Sequence, residues 1–366
     1  MNKKLYIHIG HYKTGTTALQ ILLDYNEAHL VAHGFEYSPR VRHHSKHSQL
    51  AFAVFQEAGI TSLMHGYDDP ATSTALWSAI CSRVRNSPAH SSIISSEELM
   101  RFGAIPSAPA KLAEFARIAE GIDITIIAYL RSPQDHLRSW HNQLVKMRMQ
   151  VGDFGAAVQE AIEPIHYDYA AALKPWLDTF GADRVILRDY EAVRHHPSGI
   201  FKDFFGVIGL PWRDDLILPD GDPNPRLDDR SLDLVRLIQN TDATAYHTEQ
   251  LRINAAYFLF VQDSFGRSSA EKMQLVRQRS KAGIEALATL PHNNTDLDRF
   301  MAGLPQAEDP DLVTQKLLNG FLMNELIAQR RRINRNTNAM VRRIKTLEKK
   351  LGIVDTTSDD PAQAED

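Results

Sequence analysis

The residues of this chain that could do chemistry gather at four places. "HIGHYKTGTT", residues 8–17, sets Gly10 and Gly15 around Lys13 and follows them with Thr16 and Thr17. Glycines between an apolar run and a helical pattern aim backbone N–H groups and a helix N-terminus at an anion. The ATPase form of such a loop is G-x-x-x-x-G-K-[ST], with the hydroxyl on magnesium. Here the glycine spacing is kept, but Lys13 precedes Gly15, and no predicted strand ends in a metal-binding aspartate. The loop is therefore expected to hold a terminal phosphate without magnesium, with Lys13 placing charge near a group in transfer.

The second place is "YLRSPQDHLRS", where Arg131 closes an apolar run and Ser139 follows eight residues later. A guanidinium suits a phosphate dianion, and a helix serine adds a hydroxyl donor. Two separated phosphate sites imply a nucleotide phosphorylated at both ends. The third is "IISSEEL", with Glu97 and Glu98 after a short strand. Ser95 and Glu98 fit a capping box, which leaves Glu97 without that structural task. The fourth is "RVRHHSKHSQ", with His43, His44 and His47 ahead of a helical pattern. His43 and His47 have the spacing of a metal pair, but no third ligand stands nearby, so no metal is expected. They are read instead as acceptor-binding residues, with His47 or His44 as alternative bases, or as a basic helix entry. His141 shares the predicted helix of Ser139, and His195 with His196 reads as a turn.

The elements that must position these residues alternate. "KLYIHIG" reads as a buried strand and "TTALQILLDYNEAHLVAHG" as a helix closed by Gly34. "SSIISSEEL", "ITIIAYLRSP" and "DRVILRDYE" read as further strands. Ser132 and Pro133 open the helix "PQDHLRSWHNQLVKMRMQ", and "GIFKDFFGVIGL" is another. Strand–helix alternation predicts an α/β fold, a phosphate-loop-like parallel sheet flanked by helices, with ligands outside the carboxyl ends of the strands.

At 366 residues with a formal net charge of −4, the chain has material for a large core and no bulk attraction for nucleic acid. A lone Cys81 excludes an internal disulfide and fits a reducing compartment; its amphipathic surroundings make it a core residue. The N-terminal apolar run is too short for a signal peptide or a membrane span, so a cytoplasmic protein is expected. The expected divisions are an α/β core over residues 1–219, a helical extension over 220–322 that packs on the core and is opened by the Pro/Asp-rich "PDGDPNPRLDD", a basic heptad helix over 323–354 and an acidic disordered tail over 355–366. The heptad runs Met323, Leu326, Arg330, Ile333, Thr337, Met340, Ile344, Leu347, Leu351, Val354, and residues 330–350 carry nine cations against one acid, Glu348. The seam implies self-association, as a homo-oligomer, or packing on the core. The charge either keeps the helix soluble, binds an anionic acceptor or docks on an anionic membrane surface.

"HIGHYKTGTT" resembles the 5′-phosphosulfate loop of sulfotransferases that use 3′-phosphoadenosine 5′-phosphosulfate (PAPS). "YLRSPQDHLRSWHNQ" resembles their 3′-phosphate motif, and "RVILRDYEAV" with "FKDFFGVIGL" their later strand and helix. The resemblance spans residues 4 to 215. It implies that Lys13 stabilises the bridging oxygen, that Thr14, Gly15, Thr16 and Thr17 bind the 5′-phosphate, that Arg131 and Ser139 hold the 3′-phosphate, that Tyr190 lies near adenine, and, since the family's base is a glutamate or histidine just after a strand, that Glu97 is the general base, with His47 or His44 as the alternative. It further implies a metal-independent transfer from PAPS, leaving 3′,5′-diphosphoadenosine (PAP), to a hydroxyl or amine, with a carbohydrate or glycan as the expected acceptor. Ala18 stands where cytosolic members often carry an adenine-stacking tryptophan. The alternatives are a phosphate-loop kinase or NTPase, and a non-catalytic glycan- or membrane-binding protein on the same fold.

Overall fold

The structure, a computed structural model, describes residues 3–39, 41–61, 63, 71–147, 149–195, 198–221, 271–306 and 310–351. These fall into two compact units, one holding the described residues up to 306 and one holding those from 310 onward.

The first unit is built on strands β1 (Lys3–His8), β2 (Phe35–Tyr37), β3 (Ser91–Ser95), β4 (Ile122–Leu130), β5 (Val185–Asp189) and β6 (Asn293–Asn294). All pair in parallel in the order β2-β3-β1-β4-β5-β6. β1 is central, with His8 opposite Ser95 on one side and Ile127 on the other. Side chains alternate between two separate cores, as a strand buried on both faces requires. Leu5 and Ile7 of β1, Ile94 of β3 and Ile126 and Ala128 of β4 join one core, while Tyr6, Ile93, Ile127 and Tyr129 join the other. Helices α3 (Ser48–Glu57), α4 (Ser73–Asn86), α5 (Ala108–Ile118) and α8 (Tyr169–Phe180) cover the first face. The second is covered by α1 (Thr16–Tyr25), α2 (Glu27–Ala32) and α10 (Gly199–Ile208). Helices α6 (Pro133–Lys146), α7 (Phe154–Glu160) and α9 (Tyr190–Arg194) complete this unit's labelled helices. Cys81 is buried in α4, as expected, and burial pushes its thiol up to about 11.

The single helix expected after the glycine loop is two. Asn26 breaks it, donating from Nδ2 to the Leu22 carbonyl at 2.8 Å and accepting the Ile217 N–H at 2.9 Å. An asparagine side chain offers the backbone an alternative to helical bonding and here also ties down the 211–218 segment. The expected capping box of Ser95 and Glu98 is absent. Ser95 lies inside β3, and Glu98 instead accepts from Ser96 Oγ at 2.6 Å and Ser48 Oγ at 2.8 Å.

The sheet unit continues past residue 219. Part of the expected helical extension belongs to the sheet unit: a helix over 271–287, β6 and a helix over Leu297–Ala302. The turn-rich "LPHNNTD" supplies β6, which pairs with β5 and so covers an edge that would otherwise be open. Residues 222–270, with most of the predicted linker, lie outside the described residues, as do Val354 and the tail. The second unit contains a helix of 41 residues, Pro310–Lys350, which starts well before Met323. No helix among the described residues is long and apolar enough to cross a membrane.

Asp189 secures the added segment. It is buried at the end of β5, accepts the Ala192 N–H at 3.2 Å and the Asp296 N–H at 3.0 Å, and pairs with Arg299. Arg299 is a third exposed, so the larger loss on removing the carboxylate is that of the hydrogen bonds it accepts from two backbone N–H groups, about 1–3 kcal/mol. Asp189→Ala is therefore expected to lower the denaturant midpoint of unfolding strongly, whereas Asp178→Ala, at the exposed Lys174 pair on α8, should leave it within error.

Candidate functional site

β3, β1 and β4 are neighbours, and the candidate residues follow their carboxyl ends. The chain adds β2 and β3 on one side of β1 and β4 to β6 on the other, so a topological switch lies beside β1, where open α/β sheets bind ligands.

The loop after β1 is held by its own side chains. Thr14 Oγ1 donates to the His11 carbonyl at 2.6 Å and accepts the His11 N–H at 3.2 Å, and Thr16 Oγ1 donates to the same carbonyl at 3.1 Å. Both hydroxyls are thus engaged in shaping the loop, while Thr17 is half-buried on the first turn of α1. Gly15 caps α1 in the left-handed region at φ 75° and, having no side chain, makes no cap hydrogen bond to the first-turn N–H groups. Lys13 itself sits at φ 62°, a conformation that non-glycine residues rarely adopt and that is held at functional sites by surrounding structure. Its Nζ reaches Gln143 Oε1 of α6 at 3.3 Å.

Arg131 follows β4 and links the two motifs. It is almost fully buried, donates from Nε to Glu191 Oε1 at 2.7 Å and approaches the Lys13 carbonyl at 3.4 Å. Its guanidinium lies 5.4 Å from the Tyr190 ring centroid, and the Tyr169 hydroxyl donates to its carbonyl at 2.7 Å. A Cβ on Gly15 would come within 3.1 Å of Tyr190, so this ring lies between the glycine loop and Arg131. Ser139 is buried on α6, whose start is set by Pro133 as expected; the Gln134 N–H there donates to the Gly303 carbonyl at 3.0 Å.

Glu97 follows β3 and presses on the loop after β1. A Cβ on Gly10, which is at φ 69°, would lie 3.1 Å from the Glu97 Cα and 3.0 Å from Thr16 Oγ1, so only glycine lets the two segments meet. Glu97 Oε2 accepts from Gln20 Nε2 at 2.9 Å, and Oε1 accepts from Lys46 Nζ at 3.1 Å. Burial alone would raise its pKa, but Lys46 and these hydrogen bonds bring it below the ordinary carboxylate value. Glu98 is raised, by burial first and then by the charge of Glu97. The pair is thus split in direction, Glu97 lowered and Glu98 raised, with Lys46 Nζ also 3.4 Å from Glu98 Oε1.

The histidines fall differently from expectation. His47 is not available as a base: it is fully buried, its Nε2 donates to the Ser38 carbonyl at 2.9 Å, and its Nδ1 accepts the Ser95 N–H at 3.2 Å. Burial lowers its pKa to about 4. His43 and His47 are not on one helix face, since α3 begins at Ser48. His43 and His44 are exposed in a tight turn in which the His43 N–H donates to the Lys46 carbonyl at 2.9 Å. That turn is what delivers Lys46 to Glu97. His141 is buried on α6 and its Nε2 meets the Gly152 carbonyl at 3.2 Å, away from a catalytic pose.

Several members of the site carried no local signal: Gln20, Lys46, Glu191 and three buried histidines, His11, His136 and His166. Ligand atoms of these three lie within 4.8 Å of one another, the only such group among the described residues. His136 Nε2 and His166 Nδ1 share a hydrogen bond of 2.9 Å, and His11 bonds the Tyr12 N–H through Nδ1 at 2.8 Å and the Ile165 carbonyl through Nε2 at 2.9 Å. A cation would have to displace the bond of one His11 nitrogen, to the Tyr12 N–H or to the Ile165 carbonyl, and as it stands the group is a hydrogen-bonded stack whose imidazoles burial keeps neutral. It clamps the glycine loop to α6 and to the short turn Pro164–His166, with Trp140 stacked on His166 at 4.3 Å.

No family model matches the chain, and no curated protein does. Solved structures similar to the chain include two sulfotransferases. One is a sulfotransferase from Alicyclobacillus acidocaldarius, 17% identical with a TM-score of 0.38, over 66% of this chain and 95% of that one. The other is the sulfotransferase domain from the curacin biosynthetic pathway, 14% identical with a TM-score of 0.31, over 61% of this chain and 79% of that one.

The buried imidazoles make stability depend on pH. Burial depresses His8, His11 and His47 to about 4 from an ordinary 6.5. A depressed pKa means that the unfolded state binds protons first, so the stability these groups contribute is full above pH 6.5 and is lost as pH falls toward 4. Unfolding free energy measured by denaturant titration should fall by about several kcal/mol across that window, and His11→Gln should flatten the slope. An unchanged slope would show that these imidazoles are not buried neutral.

Proposed function

We propose that the protein is a sulfotransferase that moves a sulfuryl group from PAPS to an acceptor hydroxyl or amine, without a metal, and that the acceptor is a carbohydrate. The observation that carries this reading is the convergence of Lys13, Glu97 and Arg131 after three neighbouring strands, with Gly10 and Tyr190 closing the gaps between them.

Each group then has one task. The N–H groups at the start of α1, with Lys13, receive the 5′-phosphosulfate. Arg131, with Ser139, receives the 3′-phosphate, and the guanidinium exchanges part of its bonding with Glu191 for the ligand. The acceptor oxygen attacks sulfur in line, and its proton passes to Glu97. The sulfur–oxygen bond to the phosphate breaks, and its electron pair stays on the leaving phosphate oxygen beside Lys13. The donor is left as PAP. Lys46 and Gln20 keep Glu97 ionised and fixed in direction before the acceptor arrives. In this reading His43 and His44, exposed in the turn that carries Lys46, meet the acceptor. Membrane contact through the cationic C-terminal helix, beside a cytoplasmic location, belongs to the same reading.

Transfer of labelled sulfate from PAPS to a panel of glycans tests the proposal. Lys13→Ala should lower kcat by about 10²–10³-fold and Glu97→Gln by about 10²–10⁴-fold, the latter with donor affinity nearly intact. Normal turnover by Glu97→Gln would remove Glu97 as the base. Lys46 adds a pH signature. Glu97 is available as a base above its lowered pKa, so the acid limb of kcat/KM should lie below the ordinary carboxylate range. Lys46→Met removes the lowering charge and leaves burial in control, so that limb should move to higher pH. An unmoved limb would detach Lys46 from Glu97.

A further inference from the structure

We propose that the C-terminal helix pairs with the same helix of a second copy of this chain, as a parallel two-stranded coiled coil centred on residues 326–351. The helix is continuous across this stretch to Lys350, about 38 Å at 1.5 Å per residue. Its large apolar side chains are left in water: Leu326 is 60% exposed, Ile333 62%, Met340 67% and Leu347 51%. These four recur every seven residues and fill the d positions of a heptad. Ile344 and Leu351, 53% and 73% exposed, fill a positions of the same seam. A row of this kind on a single helix is the surface that knobs-into-holes packing covers.

The charges agree with pairing of like with like. With Leu326 and its repeats at d, Arg331 and Lys345 occupy b, Arg332 occupies c, and Arg335, Arg342 and Lys349 occupy f. Six of the nine cations of residues 330–350 thus point away from the seam, where they do not oppose association. Arg330 and Thr337 are the polar a residues. An arginine there lays its stem along the seam and carries its charge out to water, and polar a positions fix register and favour two strands.

Orientation follows from Arg343 and Glu348. Arg343 is at g and Glu348 at e five residues later, the separation at which g of one helix faces e of its parallel partner. Two-fold symmetry makes this pair twice. The sequence repeats the spacing at Lys350 and Asp355. An antiparallel pairing sets e against e, where Glu348 would meet only Ile327, Asn334, Val341 or another Glu348, none of them cationic.

The full chain at micromolar concentration, examined by sedimentation equilibrium, should have twice the chain mass. Met340→Glu with Leu347→Glu should give a monomer whose cooperative unfolding matches that of the wild type. Glu348→Arg should raise the dimer dissociation constant about fivefold to tenfold, and adding Arg343→Glu should restore it. Ile344→Cys, in a chain whose single native cysteine is buried, should cross-link to a covalent dimer under mild oxidation. A wild-type monomer, with or without sedimentation on anionic vesicles, would overturn the proposal. So would a dimer indifferent to the Met340 and Leu347 substitutions. Failure of Ile344→Cys to cross-link, or of the charge swap to rescue, would overturn the parallel arrangement.

Discussion

The contact of the Gly10 backbone with Glu97 is the constraint on which the candidate site depends. Two parallel strands separated by one hydrogen-bonded spacing end side by side, and the chain must leave both ends at once. Without a Cβ, Gly10 lets the loop after β1 pass against the residue that follows β3. The Ser96 N–H donates to the His8 carbonyl at 3.0 Å, and the Ile9 N–H donates to the Ile127 carbonyl at 2.9 Å, so the sheet ladder continues to the rim of the site. A glycine loop for an anion and a carboxylate for a proton thereby stand next to each other on rigid supports, although 87 residues of sequence separate His8 from Ser95.

Charge compensation is the second organising feature. Every buried charge of the site already has a partner in the protein. Glu97 is held by Lys46 and Gln20, and Arg131 by Glu191. An unpaired buried charge would shift its pKa and neutralise. Pairing keeps Glu97 ionised and Arg131 oriented before any ligand arrives, at the cost of competition, since a phosphate at Arg131 must compete with Glu191. The histidine stack uses the opposite device. Its imidazoles are neutral because burial makes charging unfavourable, and they serve as hydrogen-bonding spacers beneath the loop.

What could be read in the sequence was local. The strand–loop–helix around Lys13, Pro133 opening α6 and the acids after β3 are defined by near neighbours, and the structure forms those elements. What could not be read depends on distant partners. Lys46 meets Glu97 across 51 residues, Gln20 meets it across 77, and Glu191 meets Arg131 across 60. His47 looked available because histidines ahead of a helix carry no mark of burial; its partners, a carbonyl and an amide N–H of the sheet edge, exist only in the fold. Strand β6 escaped notice because two asparagines have no strand pattern. Pairing with β5 makes them a strand, and Phe300 in the core with Arg299 on Asp189 keeps them there.

The measurement that bears most directly on the account is a calorimetric titration of the purified chain with PAP in chelator, beside a titration with ATP and magnesium. The account predicts tight one-to-one binding of PAP without metal, markedly weakened in Arg131→Ala, and little heat from ATP with magnesium. Preference for ATP with magnesium would contradict it, because a loop that places Lys13 before Gly15 would then be holding a metal-bound triphosphate, and the carboxylate beside it would need another task.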